Sequence, residues 1–382
     1  MRVLVLSHPC AMKPYRRKFE ILADRYPLDI RLIVPRRWVE NFKELRVEED
    51  DSKGSNLKLH PRPILFPGYT SRFLYTRGLI PLFRDFRPDI VHLEEEPWSM
   101  SALQTAVLRR MYCPKSKFIF RTSLSIWVER HFSKLPYAIE RLVFREADAA
   151  FALNEGAVGI LRRKGYAGPT FIFPNGVDTE IFRPMDVSDL KRSLGLSSDF
   201  VIGYVGRLLW MKGVHVLIEA ASKLDFDFQM MILGRGEYRD ELVSLAEKLG
   251  ISSKVLWVDA VPPNEVPRYM NCLDVLVLPS LTVPDWVEFF GRVLAEAMAC
   301  GVAVVGSNSG DIPNVVGEAG LIFEEGNADD LARKLKELHD SPSLAQKLRR
   351  KGLSRALNLY SWDKIAEETY KAYRLISTGG RW

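Results

Sequence analysis

Residues Asp285 to Gly310 read D-W-V-E-F-F-G-R-V-L-A-E-A-M-A-C-G-V-A-V-V-G-S-N-S-G. Glycine is unfavourable inside a helix, so the helix in this stretch is predicted to begin at Gly291 or Arg292. Val293, Leu294, Ala297 and Met298 then share one apolar face. Cys300 and Gly301 end the helix, and Val302 to Gly306 read as a buried strand. Glu296 rides on the helix and Glu288 sits in the loop before it. Amides from Phe289 to Arg292 fall at the positive end of the helix dipole, where unpaired N–H groups favour an anion. Phosphate donors and two carboxylates able to hold hydroxyls therefore lie in one short segment. That combination suits a nucleotide-sugar.

Working outward, 382 residues exceed one ordinary core, so two domains are expected. A hydrophobic content of 47% with 27% charged residues belongs to a globular chain, not a disordered one. Cys10, Cys113, Cys272 and Cys300 are scattered without a C-x-x-C pair. This argues against a zinc site or a disulfide framework and fits a reducing compartment. The apolar run Val3 to Leu6 is too short for a signal peptide, and no stretch is long enough to span a bilayer. The expected location is cytoplasmic. Charge is unevenly shared: residues 1–185 hold 31 Lys and Arg against 21 Asp and Glu, and residues 186–382 hold 23 against 27. A basic half meets anionic partners or presents a solvated basic face.

Short apolar strands alternate with helical segments along the chain, which implies mostly parallel, doubly wound sheets. Ligands gather at the carboxyl ends of such strands. His8, Glu94 to Glu96, Arg121 to Ser123 and Asn175 to Asp178 all fall at predicted strand ends. Residues 43–60 are polar and read as a loop or edge hairpin. Helices are expected at Arg130 to Glu146 and from Gly326 to near Ser377. The junction between domains is placed near Pro184, giving residues 1–184 and 185–361. In the second half Gly203-x-x-Gly206-Arg207 precedes Lys212-Gly213. Small residues let the backbone approach a ligand, Arg207 can fork across two oxygens, and Lys212 adds a point charge. The alternative is a strand-to-helix turn with solvated basic residues. Gly234 to Glu237 is open to the same two readings.

The run E-F-F-G-R-V-L-A-E-A-M-A-C-G, continuing to Ile312-Pro313 and Gly320-Leu321-Ile322-Phe323, resembles the E-x7-E signature of retaining glycosyltransferases of the family-4 group. The resemblance implies a GT-B fold: two Rossmann-like doubly wound domains facing across a cleft, with the helix at 362–382 returning to the first. It implies that Arg207 and Lys212 meet the donor diphosphate and that Gly206 and Gly234 line the same rim. Glu296 would hold ribose hydroxyls. Glu288 would hold the transferred sugar, with contacts from the amides of Phe289, Phe290 and Gly291. The base would lie against the loop around Val261. Pro174-Asn175-Gly176-Val177-Asp178 matches the stretch that crosses between domains. The N-terminal domain would bind a glycan or lipid-linked acceptor, with Arg121, Thr122, Glu96 and Asn175 as candidates on that side.

Two features depart from the family pattern. The loop after the first strand, His8-Pro9-Cys10-Ala11-Met12-Lys13-Pro14, has no Gly-Gly pair. Phe120-Arg121-Thr122 stands where relatives often carry Phe-His-Thr, and arginine cannot act as a general base. Glu94, Glu95 and Glu96 read either as a solvated turn or as an acceptor-hydroxyl site, and His92 as a packed residue. No D-x-D follows a strand end, so no metal or other cofactor is expected, and Arg207, Lys212 and the helix dipole would supply the positive charge. No nucleic-acid partner is expected. An anionic membrane surface is a candidate partner of the basic half. The rival readings are a GT-B epimerase and a nucleotide-sugar-binding regulatory protein without transfer activity. A phosphorylase would need a pyridoxal-bearing lysine segment, which is absent from the sequence.

Overall fold

The structure is a computed structural model that describes residues 1–40, 43–47, 56–126 and 134–380. The chain forms two compact units, Met1–Pro174 together with the chain from Trp362 onward, and Asn175–Ser361. The division lies ten residues before the junction expected near Pro184. The reason is local bonding: Val177 N–H donates to the Tyr360 carbonyl and Met185 N–H to Asn271 Oδ1, so residues 175–185 are tied into the second unit. Asn175, grouped by the sequence with acceptor-side residues of the first domain, belongs to that second unit.

Unit 1 is built on a parallel seven-stranded sheet. Its strands are β1 (Arg2–Leu6), β2 (Asp29–Pro35), β3 (Leu57–Arg62), β4 (Ile90–Leu93), β5 (Lys117–Thr122), β6 (Ala149–Ala152) and β7 (Thr170–Ile172). Their order is β7-β6-β5-β4-β1-β2-β3. β1, β4 and β6 are buried on nearly every residue, as strands covered on both faces must be. The order reverses between β1 and β4, which makes their carboxyl ends the switch point of this sheet. Helix Trp362–Thr378 packs on helix Arg17–Arg25 in this unit. Tyr26 stacks on Tyr370 at 4.2 Å, and the Tyr373 hydroxyl reaches His92 Nδ1 at 2.6 Å.

The polar stretch 43–60 holds more order than the sequence suggested. Lys43–Arg46 pairs with Arg37–Glu40 as an antiparallel hairpin, and Leu57–Arg62 is the edge strand β3. Pro61 within β3 hid it, since proline fits a sheet only at an edge. Residues 48–55 lie outside the described residues, as do Arg130 to Ser133 of the expected helix, His131 among them. That helix is described from Lys134 to Glu146.

Unit 2 repeats the plan with β8 (Val201–Val205), β9 (Gln229–Leu233), β10 (Val255–Val258), β11 (Val275–Leu278), β12 (Ala303–Ser307) and β13 (Leu321–Phe323). Their order is β10-β9-β8-β11-β12-β13, all parallel, with the switch point between β8 and β11. The chain after Gly326 is helical as expected, in the helices Ala328–Asp340, Pro342–Arg355 and Trp362–Thr378. Ser341 ends the first and caps the second by accepting from Leu344 N–H.

Candidate functional site

The unit 2 switch point gathers the loops after β8, β9, β11 and β12. Gly206 follows β8 and Gly234 follows β9. A Cβ on Gly234 would sit 1.8 Å from the Gly206 carbonyl oxygen, so only glycine lets these loops touch. Leu208 N–H donates to the Arg235 carbonyl and Tyr238 N–H to the Leu208 carbonyl. The Gly234 loop is thus required by packing whatever else it does. Arg207 is exposed in this rim, and its carbonyl accepts from the buried Tyr204 hydroxyl at 2.7 Å.

Lys212 lies in the short turn Trp210–Lys212, and the helix begins only at Val214. Gly213 between them has φ 68°, and a Cβ there would meet the Pro279 carbonyl oxygen at 1.9 Å. The loop after β8 is therefore pressed against the loop after β11, with Leu281 N–H donating to the Met211 carbonyl. This contact carries Lys212 to Glu288. Its Nζ lies 2.6 Å from Glu288 Oε2 and 4.6 Å from the Trp286 ring centre. The Ser280 hydroxyl donates to the same carboxylate oxygen at 2.9 Å. Ser280 is itself held by the Ser307 hydroxyl, which donates to its carbonyl at 2.6 Å. The Glu288 carbonyl accepts from Asp311 N–H.

The sequence assigned Lys212 and Glu288 separate tasks and did not pair them. Ser280 carried no motif, and Trp286, two residues before Glu288, was given no role.

Helix Arg292–Ala299 begins after Gly291, which has φ 74°. Phe290 is buried edge-on to Tyr360 at 5.5 Å, and Phe289 is half-buried. Glu296, one turn along, pairs with Arg292 at 3.1 Å. Burial pushes its carboxyl up, and Arg292 opposes that shift. Val261 lies half-buried in the loop after β10, where Asp259 is ion-paired with Arg239 and Arg235.

In unit 1 the three glutamates after β4 do not form a solvated turn. Glu94 pairs with the buried Lys18 and lies 3.5 Å from Arg121 Nε and 3.4 Å from His92 Nε2. Burial alone would push its carboxyl up, but Lys18 and Arg121 hold it down at about 2. Glu95 is bonded to His8. Glu96 accepts from the Thr122 hydroxyl at 2.7 Å and from Ser123 N–H and Oγ. Arg121 also donates to the Phe173 carbonyl. Arg121 and Thr122 belong to the last turn of pairing in β5, not to the loop beyond it. Among the described residues, no group of three His, Cys, Asp or Glu side chains is placed to hold a metal ion, and no helix is long and apolar enough to cross a membrane.

Two Rossmann-like units with these parallel sheet orders have the GT-B fold of solved glycosyltransferase structures. Residues 186–355 match the family model described as glycosyl transferases group 1, and residues 20–176 match a glycosyl transferase 4-like domain. The chain belongs to the glycosyl transferases group 1 family. It is 28% identical to a 2-deoxystreptamine glucosyltransferase of Streptomyces kanamyceticus, over 66% of this chain and 68% of the relative. It is 31% identical to a D-inositol 3-phosphate glycosyltransferase of Acidothermus cellulolyticus, over 53% of this chain and 47% of the relative. The chain thus spans about half to two-thirds of the length of these curated relatives. Sucrose-phosphate synthase from Thermosynechococcus elongatus superposes with a TM-score of 0.74 at 19% identity, covering 100% of both chains. HepE from Anabaena in complex with UDP gives 0.72 at 18% identity, covering 98% of this chain and 100% of that one. At such identities these structures show the fold alone.

Proposed function

We propose that the protein is a retaining, metal-independent glycosyltransferase that moves a sugar from a nucleoside-diphosphate sugar to an acceptor hydroxyl in glycolipid, polysaccharide or other glycoconjugate synthesis. The observation that carries this reading is the Lys212–Glu288–Ser280 cluster at the unit 2 switch point, beside the N-terminus of helix Arg292–Ala299. Lys212, exposed Arg207 and the helix dipole supply positive charge for a diphosphate. Glu288 holds hydroxyls of the transferred sugar, and Glu296 those of the ribose. The amides of Phe289, Phe290 and Gly291 meet sugar and phosphate, and Gly206, Gly234 and Val261 line the nucleotide side. UDP complexes of a relative in fold make UDP the first probe. Transfer from UDP-glucose to a panel of sugars, polyols and lipid-linked glycans tests the reading, and turnover on none of several nucleotide-sugars would sink it.

Lys212→Ala is expected to weaken UDP binding by roughly 1–3 kcal/mol, the scale of a charged hydrogen bond. The loss has two parts, since the variant removes a cation and leaves the Glu288 carboxylate facing the phosphates. Titration calorimetry reads it, and unchanged affinity removes Lys212 from the site.

Transfer should survive EDTA, because fixed cations do the work of a metal here. Reversible loss restored by magnesium or manganese overturns that part.

The basic half is assigned an anionic membrane surface. From Asn56 to Arg84 the chain carries Lys58, Arg62, Arg72, Arg77 and Arg84 and no acidic residue. Leu65, Phe66 and Tyr69 are exposed at the tip of a hairpin in this segment. Aromatic rings beside basic side chains suit the headgroup region, each basic group contributing about 1 kcal/mol. Co-sedimentation should rise with phosphatidylserine and fall with salt, and equal binding to neutral vesicles counts against it.

A further inference from the structure

The switch point of unit 1, between β1 and β4, holds a second constellation that the donor chemistry does not use. His8 follows β1 and Glu95 follows β4, neighbouring strands with Leu6 opposite Leu93. The Glu95 side chain is 2% exposed. One of its oxygens accepts the His8 backbone N–H at 2.7 Å, and the other is bonded to His8 Nδ1. The Trp38 ring lies 4.7 Å from the imidazole, and Phe73 meets it edge-on at 5.9 Å. The imidazole is therefore fixed by a carboxylate and two rings.

An ionised carboxylate only accepts, so Nδ1 carries the hydrogen and the neutral ring keeps its lone pair on Nε2. No hydrogen bond among the described residues engages Nε2, and the His8 side chain is 20% exposed. His92 in the same unit shows what a packed histidine looks like. It is wholly buried, with Nδ1 on the Tyr373 hydroxyl and an Nε2 that makes no hydrogen bond and is shut away from solvent, 3.4 Å from Glu94. His8 differs in presenting an oriented, solvent-reachable acceptor at a sheet position where ligands bind.

We propose that His8 is an acceptor-hydroxyl site: Nε2 accepts a hydrogen bond from a hydroxyl of a sugar or polyol, and Glu95 is the positioning residue that fixes the ring and its tautomer. This rests on the transferase reading above. A hydroxyl held through its hydrogen keeps its oxygen lone pairs free for a new bond.

The charges around the dyad leave Glu95 in control of the ring. Lys18 is paired with Glu94, and the Arg16 guanidinium is bonded to the carbonyls of Cys10 and Ala11. Cys10 and Tyr75 are buried, and burial pushes both of them up, away from ionisation. In Glu95→Gln the side-chain oxygen stays on the His8 backbone N–H, so the amide N–H turns toward Nδ1 and should shift the ring to the Nε2–H tautomer, which has no lone pair there.

The test uses the full chain, UDP-glucose as donor and a panel of free hexoses and polyols as acceptors. His8→Asn keeps a donor near the Nδ1 position and has no atom at Nε2. It should raise the acceptor KM about 10- to 100-fold, as for one lost hydrogen bond at an organised site, with UDP binding unchanged. His8→Gln places an amide oxygen near the Nε2 position and should restore part of the loss. A wild-type acceptor KM in His8→Asn, or an unchanged ring tautomer and acceptor KM in Glu95→Gln, overturns the proposal. If the wild-type chain transfers to none of this panel, the transferase reading is decided separately, on the wider set of donors and lipid-linked acceptors. Histidine nitrogen NMR then decides for His8: an Nε2–H tautomer, or no change at Nε2 on adding the panel, overturns the assignment.

Discussion

Glu288→Gln is expected to lower kcat by a factor on the order of 10²–10³, the effect of losing one preorganised electrostatic contact. The substitution keeps the shape and removes the charge. That charge is shared by Lys212 at 2.6 Å and Ser280 at 2.9 Å on one oxygen, Oε2. Oε1 remains for a sugar hydroxyl. Contacts that orient the anomeric carbon as positive charge develops there act in the transition state more than in the ground state. The effect should therefore fall on kcat, not on binding of the bare nucleoside diphosphate. Affinity for UDP should hold or tighten, because Lys212 no longer has to be shared between Glu288 and the phosphates. Glu296→Gln should do the opposite and weaken nucleotide binding, since Glu296 sits on the helix beside Arg292, away from the Lys212 cluster. NMR of the product should show the donor's anomeric configuration retained. An inverted product sinks the mechanism while leaving the fold and donor site standing. Full turnover with lost UDP binding in Glu288→Gln means that the two glutamates have exchanged roles.

The helix start at Gly291, with Glu288 in the loop before it and Glu296 on the helix, was legible in the sequence because that order is local. The strand expected at Val302 to Gly306 is found at Ala303–Ser307, since it is a short apolar run between turns. What stayed hidden depends on contacts between distant segments. Lys212 and Glu288 are 76 positions apart, and their pairing follows from Gly213 lying against Pro279. His8 and Glu95 are 87 positions apart and meet only because β1 and β4 are neighbours in the sheet. Glu94, Glu95 and Glu96 looked alike in sequence, yet each found a different partner at the strand ends. Burial forced that outcome at Glu94 and Glu95, because a buried carboxylate without a partner is too costly to keep.

The Glu94 cluster carries the largest expected effect on stability. Lys18 and Glu94 are nearly buried, with side chains 5% and 11% exposed, and Arg121 and His92 complete the group. Glu94→Gln leaves the Lys18 ammonium buried without a compensating charge, which should cost about 3–5 kcal/mol. Amide exchange of peptides covering β4 and β5 reads this loss in unit 1 alone. Lys18→Met combined with Glu94→Gln removes both charges and should recover much of it, because a well-packed apolar replacement avoids the desolvation of the pair. The pH dependence has a definite sign. The folded carboxyl of Glu94 is held down to about 2 against an ordinary value of 4.5. Its contribution is therefore complete above the unfolded value and is lost as pH falls through the folded one. The gap in protection between the wild-type chain and Glu94→Gln should be widest above pH ~5 and close toward pH ~2. A gap that stays constant across that range, or a Glu94→Gln chain within about 1 kcal/mol of wild type at neutral pH, would show that the cluster is held by packing and not by its charges.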